Sequence, residues 1–179
     1  MTIKYDTVFA LVSDALRKTG ARAILVGGFA VNCYNYSRQT ADVDFLITEA
    51  DFAKIFPLLE KEGYKKERAI DLFTRLRCDK EGFIDLDFLF TDKNTIENMR
   101  KDGKEADIAG KRFIVPSLNN LIAMKLHSLK NSFESRKNDL LDILILVRAN
   151  KVDAKSSDFK ELCMKYGTEE IYKKITENL

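Results

Sequence analysis

Four aspartates fall in two alternating pairs, Asp42-Val-Asp44 and Asp85-Leu-Asp87, each inside an apolar run. On a β-strand, residues two apart point to the same side. Each pair therefore sets two carboxylates on one face, while Val43, Phe45 and Ile47, or Ile84, Leu86 and Phe88, fill the other. Neighbouring carboxylates repel, and burying them without a cation is costly. Oxygen ligands of this kind suit Mg²⁺, which keeps some of its waters and takes substrate phosphate oxygens as further ligands. If the two strands lie side by side, Asp87 or Asp85 completes a triad with Asp42 and Asp44. Three carboxylates can hold two metal ions, one acidifying an attacking hydroxyl and the other stabilising a leaving pyrophosphate.

A second feature precedes the first pair. Ala23–Val26 reads as a short buried strand that runs into Gly27-Gly28 and then a helix over Phe29–Tyr36. Glycines at such a turn let the backbone approach a ligand closely, and the free amides of a helix start favour an anion such as a phosphate. A turn of this kind in front of the aspartates would set a triphosphate against the metals. Double glycines also occur in plain tight turns, so the signal counts only together with Asp42 and Asp44.

The elements around these residues are legible from periodicity. Helical spacing covers Asp6–Lys18, with Gly20 just past the end, and Glu49 to about Glu62, with Thr48 as N-cap and Gly63 as stop. Strands are expected at Val43–Ile47, at Leu72–Cys78 with Arg75 and Arg77 on its basic side, and at Phe83–Phe90. Two short strands, Ala106–Ile108 and Arg112–Val115, flank a turn at Gly110. Pro116 and Ser117 then open a helical region with helices at about 118–130 and 136–149 and two shorter ones after Ser156. This is an α/β (α+β) fold: a small mixed sheet over residues 1–115, with a C-terminal helical region over 116–179 packed on it as one unit.

Composition narrows the class. The 179 residues are 45% hydrophobic and 32% charged, an ordinary globular balance. The net charge of +2 is too small to argue for a nucleic-acid partner by itself, although Lys and Arg are dense from Lys125 to Arg148. Cys33, Cys78 and Cys163 are widely spaced and His127 is the only histidine, which speaks against a disulfide framework or a structural zinc site and for a reducing cytoplasm. No apolar run approaches the roughly 18 residues of a membrane span, so no membrane partner is expected.

Gly27-Gly28, Arg38-x-Thr40-x-Asp42-x-Asp44 and a later strand aspartate together resemble the nucleotidyltransferase superfamily that includes DNA polymerase β. The pattern is similar to small bacterial members, the AbiEii-like toxins and the antibiotic nucleotidyltransferases. Further on, Lys125 on one helix and Arg136-Lys-x-Asp139-x-x-Asp142 on the next are similar to the helical segment of AbiEii-like proteins. The resemblance implies Asp42, Asp44 and Asp87 as catalytic metal ligands. Asp87 is favoured because Asp87-Phe-Leu-Phe resembles the family's aspartate and its apolar run, and Asp85 is the alternative. It implies two Mg²⁺ ions, with Mn²⁺ as a substitute, and a nucleoside triphosphate such as ATP held by Gly27, Gly28, Arg38, Thr40, Lys125 and Asp139. Asp142 would assist as an auxiliary group.

The implied reaction moves a nucleoside monophosphate to an acceptor hydroxyl with release of pyrophosphate. A toxin-type acceptor, tRNA or protein, is expected, with an antitoxin as a further partner and no DNA-specific binding. A small-molecule antibiotic acceptor, or a non-catalytic nucleotide-binding module of the same fold, stays open. Plainer readings stand beside these. Lys125, Asp139 and Asp142 could be ordinary helix-surface charges, Thr40 could bond only to local backbone, and Arg75 and Arg77 read more naturally as solvated charge than as the lining of an acceptor groove.

Overall fold

The structure is a computed structural model that describes residues 5–132 and 137–179. Arg136, and with it the first residue of the helix expected from 136, lies outside the described residues. The elements run α1 (Val8–Thr19), β1 (Ala23–Val26), α2 (Gly27–Asn32), β2 (Asp42–Ile47), α3 (Glu49–Lys61), β3 (Lys65–Ile70), β4 (Phe73–Arg77), β5 (Asp85–Phe90), α4 (Lys93–Asp102), β6 (Lys104–Ile108), β7 (Lys111–Val115), α5 (Leu118–Ser132), α6 (Lys137–Ala149), α7 (Ser157–Tyr166) and α8 (Glu169–Glu177).

The chain divides into two compact units. The first holds residues 1–29 and 39–116, and the second holds 30–38 and 117–179. In the first, five strands form a mixed sheet in the order β1-β2-β5-β4-β3, and β6 and β7 form a separate two-stranded sheet. Among the described residues, the β2–β5 pair alone in the larger sheet is parallel. Apolar residues on one face explain its stability. Val43, Phe45, Ile47, Leu86 and Phe88 are fully buried, with Phe45 stacked on Phe88 at 5.8 Å and Phe52 of α3 at 4.9 Å from Phe88. Each such aromatic or aliphatic side chain contributes roughly 1.5–3 kcal/mol of burial.

In the second unit, α5 packs against α6 and α7, and α8 closes on α5, α6 and α7. Leu121, Ile122, Leu126, Leu129, Ile143, Leu146, Cys163 and Ile175 form its core. No helix among the described residues is long and apolar enough to cross a membrane.

Several helix ends follow from local chemistry. Thr48 caps α3 by accepting from Asp51 N, and Ser117 does the same for α5 from Asn120 N. Gly20 takes the left-handed conformation, φ 69°, that ends α1. Three differences from the sequence expectations stand out. α2 occupies Gly27–Asn32 and not Phe29–Tyr36, so both glycines are inside its first turn. β3 and α4 were not foreseen at all. β3 is exposed along its whole length, and α4 buries only Ile96, so neither shows an apolar period.

Candidate active site

β2 and β5 run parallel with Asp42 beside Asp85 and Asp44 beside Asp87. Because paired residues share a face, all four aspartates point away from the phenylalanine core. Asp42, Asp44 and Asp87 each offer an oxygen, and these oxygens lie within 4.8 Å of one another. Asp85 is not in that group; it stands level with Asp42, one pleat repeat from Asp87. Asp87 is also the buried member at 5% exposure, whereas the Asp42 side chain is 34% exposed.

Gly27 is bound into the same cluster. β1 pairs antiparallel to β2 with Val26 opposite Asp44, so the chain turns out of β1 directly over that carboxylate. Gly27 has φ 63°, and a Cβ built on it would lie 1.9 Å from Asp44 Oδ2. Glycine is required here twice, by conformation and by contact. Gly28 follows, buried at the start of α2. Thr40, at the entry to β2, places its hydroxyl 3.3 Å from the Asp42 carbonyl and 3.4 Å from Asp42 Oδ1.

β4 contributes a residue that the sequence reading treated as solvated. Arg75 pairs with Asp87 across the sheet. Its Nε donates to Asp87 Oδ1 at 2.7 Å and its terminal nitrogen to Asp87 Oδ2 at 2.5 Å, with a longer bond of 3.3 Å to Asp42 Oδ2. The hydrogen bond to Asp87, and then the negative charges of Asp87, Asp42 and Asp85, hold the guanidinium pKa above its ordinary value. One guanidinium thus bridges Asp87 and Asp42, two of the three carboxylates. The antiparallel β4–β5 register is the reason, and no pattern within β4 alone announces it. Arg77, two residues on, is the solvated charge expected, 61% exposed.

The second unit gathers the remaining predicted residues. Arg38 forms a bidentate pair with Asp142, at 2.8 and 3.0 Å. Asn32 fixes the Arg38 backbone through its N–H and its carbonyl. Lys125 reaches Asp139 at 2.7 Å and Asp142 at 2.8 Å. Asp142 is 1% exposed, so it serves both cations from the interior. Burial pulls the Lys125 ammonium pKa down, but the charges of Asp139 and Asp142 and its hydrogen bonds to both prevail, and the net shift is upward. Lys125, Asp139 and Asp142 are thus not ordinary surface charges: they close a network with Arg38.

The cluster in the first unit can do specific chemistry. Its three carboxylates are hard oxygen donors, which fits a divalent cation such as Mg²⁺.

The chain matches known proteins in family and in fold. Residues 8–178 match the sequence signature of a family described as uncharacterised nucleotidyltransferase. No curated protein matches the sequence. Among solved structures, ANT(2″)-Ia in complex with adenylyl-2″-tobramycin is similar with a TM-score of 0.66 at 14% identity, covering 87% of this chain and 92% of that one. The lincosamide antibiotic adenylyltransferase LnuA, lincomycin-bound, has a TM-score of 0.54 at 16% identity, covering 79% and 92%. An antigenic nucleotidyltransferase-like protein from Paracoccidioides brasiliensis has a TM-score of 0.56 at 13% identity, covering 88% and 84%. At these identities the likeness is one of fold.

Proposed function

The chain belongs to the uncharacterised nucleotidyltransferase family, and from that premise we propose that Asp42, Asp44 and Asp87 are its catalytic, metal-holding residues. The observation that carries the reading is the convergence of three carboxylate oxygens within 4.8 Å, with Gly27 pressed against Asp44. Asp42 and Asp44 would hold two Mg²⁺ ions and Asp87 would be a ligand of one; Mn²⁺ would suit the same oxygens. Bound there, the ions supply positive charge that acidifies the acceptor hydroxyl and stabilises the pyrophosphate.

The residues of the chain orient the reactants. Gly27 and Gly28 let the triphosphate lie close to the backbone, and Thr40 steadies Asp42. Asp87 would help to take the proton of the acceptor hydroxyl. The acceptor oxygen then bonds to the α-phosphorus, the bond to the bridging oxygen breaks, and pyrophosphate leaves with that electron pair. Arg38, Lys125 and Asp139 enter as nucleotide-binding residues from the sequence resemblance; Lys125→Met should raise the KM for the triphosphate, and an unchanged KM would contradict the assignment.

For the acceptor we propose tRNA or a protein in a cytoplasmic toxin-type reaction, with an antitoxin as partner. The alternative is an antibiotic, as in the ANT(2″)-Ia and LnuA structures. Growth arrest on expression that Asp44→Ala relieves supports the first, and drug resistance without arrest supports the second. The metal assignment is tested by thermal unfolding with Mg²⁺ and ATP. The wild type should be stabilised, and Asp42→Ala/Asp44→Ala should not. Equal stabilisation of both proteins would overturn it.

A further inference from the structure

The face of the sheet that carries Asp42, Asp44 and Asp87 continues across β4 onto β3, where the cations Lys65 and Arg68 outnumber one acid, Glu67. β3 pairs with β4 so that Lys65 stands opposite Arg77 and Arg68 opposite Arg75. Lys65 and Arg68 are three residues apart and would face opposite sides of a regular strand. A register shift between Lys66 and Arg68 brings both onto the side of Arg75 and Arg77. Lys66 is left on the other side, over the rings of Phe52 and Phe56.

Two like-charge pairs thus stand directly across from each other on neighbouring strands, an arrangement that is destabilising in a sheet. Arg75 is compensated by Asp87, and Arg77 by Glu67 at 3.2 Å. Among the described residues, neither Lys65 nor Arg68 has an ion-pair partner. A charged edge strand by itself guards against pairing with other chains. That role is served equally well by mixed charges, and it gives no reason to align cations by a bulge on the side of the carboxylates. Bulges of this kind re-aim side chains next to functional sites. Phe73, two residues before Arg75 on the same face, is half-buried and adds an aromatic surface.

Resting on the nucleotidyltransferase reading above, we propose that this β3–β4 face binds the phosphodiester backbone of a single-stranded RNA acceptor and leads its hydroxyl to Asp87. Lys65, Arg68 and Arg77 meet successive phosphates, and Phe73 offers a base a stacking surface. The patch is open and solvated, so a small isolated anion gains little from it. A polyanion gains through the release of its condensed counterions, a gain that open surfaces do provide. Polycationic acceptors are repelled by the same row. The acceptor class is therefore set by a strand outside the carboxylate cluster.

The test is binding of a fluorescein-labelled 12-nucleotide single-stranded RNA, by anisotropy at 50 and 200 mM salt, in the full chain. Three phosphate contacts predict a slope of log K against log salt of about −2. Lys65→Glu/Arg68→Glu should weaken binding at least tenfold at the lower salt, and Lys65→Ala/Arg68→Ala should reduce the slope by about 1.4. Wild type that does not bind the RNA, or variants that bind it as tightly, would overturn the proposal. So would a wild type that binds polyglutamate as well as it binds RNA. A parallel Mn²⁺ titration separates the two readings. Mn²⁺ binding that Asp44→Ala removes, without RNA binding, sinks this inference alone. Absence of Mn²⁺ binding sinks the carboxylate reading on which it rests.

Discussion

Replacing Gly27 by alanine puts a Cβ where Asp44 keeps its carboxylate. Two costs follow, and a second glycine separates them. At φ 63° an L-residue loses roughly 1–2 kcal/mol relative to glycine. Gly20 has nearly the same φ, 69°, but a Cβ there meets nothing within 4 Å. Gly20→Ala therefore reports the conformational cost alone. At Gly27 the Cβ would also lie 1.9 Å from Asp44 Oδ2 and 2.8 Å from Asp44 Cβ. Swinging the carboxylate by about 1.5 Å relieves the oxygen at about 1 kcal/mol off its rotamer, but Asp44 Cβ moves only with the backbone of β2, which adds to the cost. Total destabilisation is then at least about 2–3 kcal/mol, against about 1–2 for Gly20→Ala. The larger effect is functional. The displaced oxygen leaves the group of three, so Mn²⁺ affinity should fall at least tenfold, about 1.4 kcal/mol. Urea unfolding gives the stabilities, and isothermal titration with Mn²⁺ gives the affinity. Gly27→Ala that binds Mn²⁺ within twofold of wild type would refute the role given to this contact. Equal destabilisation by the two substitutions would refute the steric argument.

Three further outcomes are expected. Arg75→Met removes a positive charge from the carboxylate cluster; in a solvent-screened setting at about 4 Å its repulsion of a doubly charged ion is about 2 kcal/mol, so Mn²⁺ should bind about thirtyfold tighter without nucleotide, and weaker binding on titration would show that Arg75 aims Asp87 and does not compete with metal. Asp142→Ala removes the anion shared by Arg38 and Lys125; breaking such a pair costs about 3 kcal/mol with Arg38 28% exposed, and a loss under 1 kcal/mol by urea unfolding would contradict it. Burial pushes the Cys163 thiol up to about 12 and raises the Tyr64 phenol as well. Both groups have folded pKa values above their unfolded ones, so their contribution is whole below about pH 9 and is lost as pH rises toward 12, with a slope of about 1.4 kcal/mol per unit per proton; Cys163→Ala should flatten the decline in the urea midpoint between pH 9 and 10.5, and an unchanged slope would contradict the assignment.

Much of the site was legible in the sequence because it rests on the shortest period a strand has. Asp42-Val-Asp44 and Asp85-Leu-Asp87 alternate with residues that must be core, so their common face follows from local pattern alone. Which of Asp85 and Asp87 joins the cluster depends on strand register, a non-local quantity, and the parallel β2–β5 pairing places Asp87 beside Asp44. The same limit hid the partners of Arg75, which are set by β4–β5 pairing, and the partner of Arg38, which is Asp142, 104 positions away. β3 was missed for a different reason. Its sequence, Lys-Lys-Glu-Arg-Ala-Ile, buries nothing and so carries no hydrophobic period, and only its pairing with β4 makes it a strand. α4 has Asp92 as a sound N-cap but a single buried residue, Ile96, which leaves a cap without a stripe. Gly27 was read as a phosphate-side glycine, while its contact with Asp44 became evident only once β1 was seen to pair with β2.

The central claim is that Asp42, Asp44 and Asp87 support metal-dependent nucleotidyl transfer. The most direct measurement is transfer of label from α-labelled nucleoside triphosphates, with Mg²⁺, into RNA, protein or small molecules of a cell extract, for wild type and for Asp44→Asn and Asp87→Asn. The account predicts label in one acceptor fraction with wild type, none with EDTA, and losses of at least a hundredfold with either variant. Transfer that survives both substitutions, or that proceeds equally in EDTA, would contradict it.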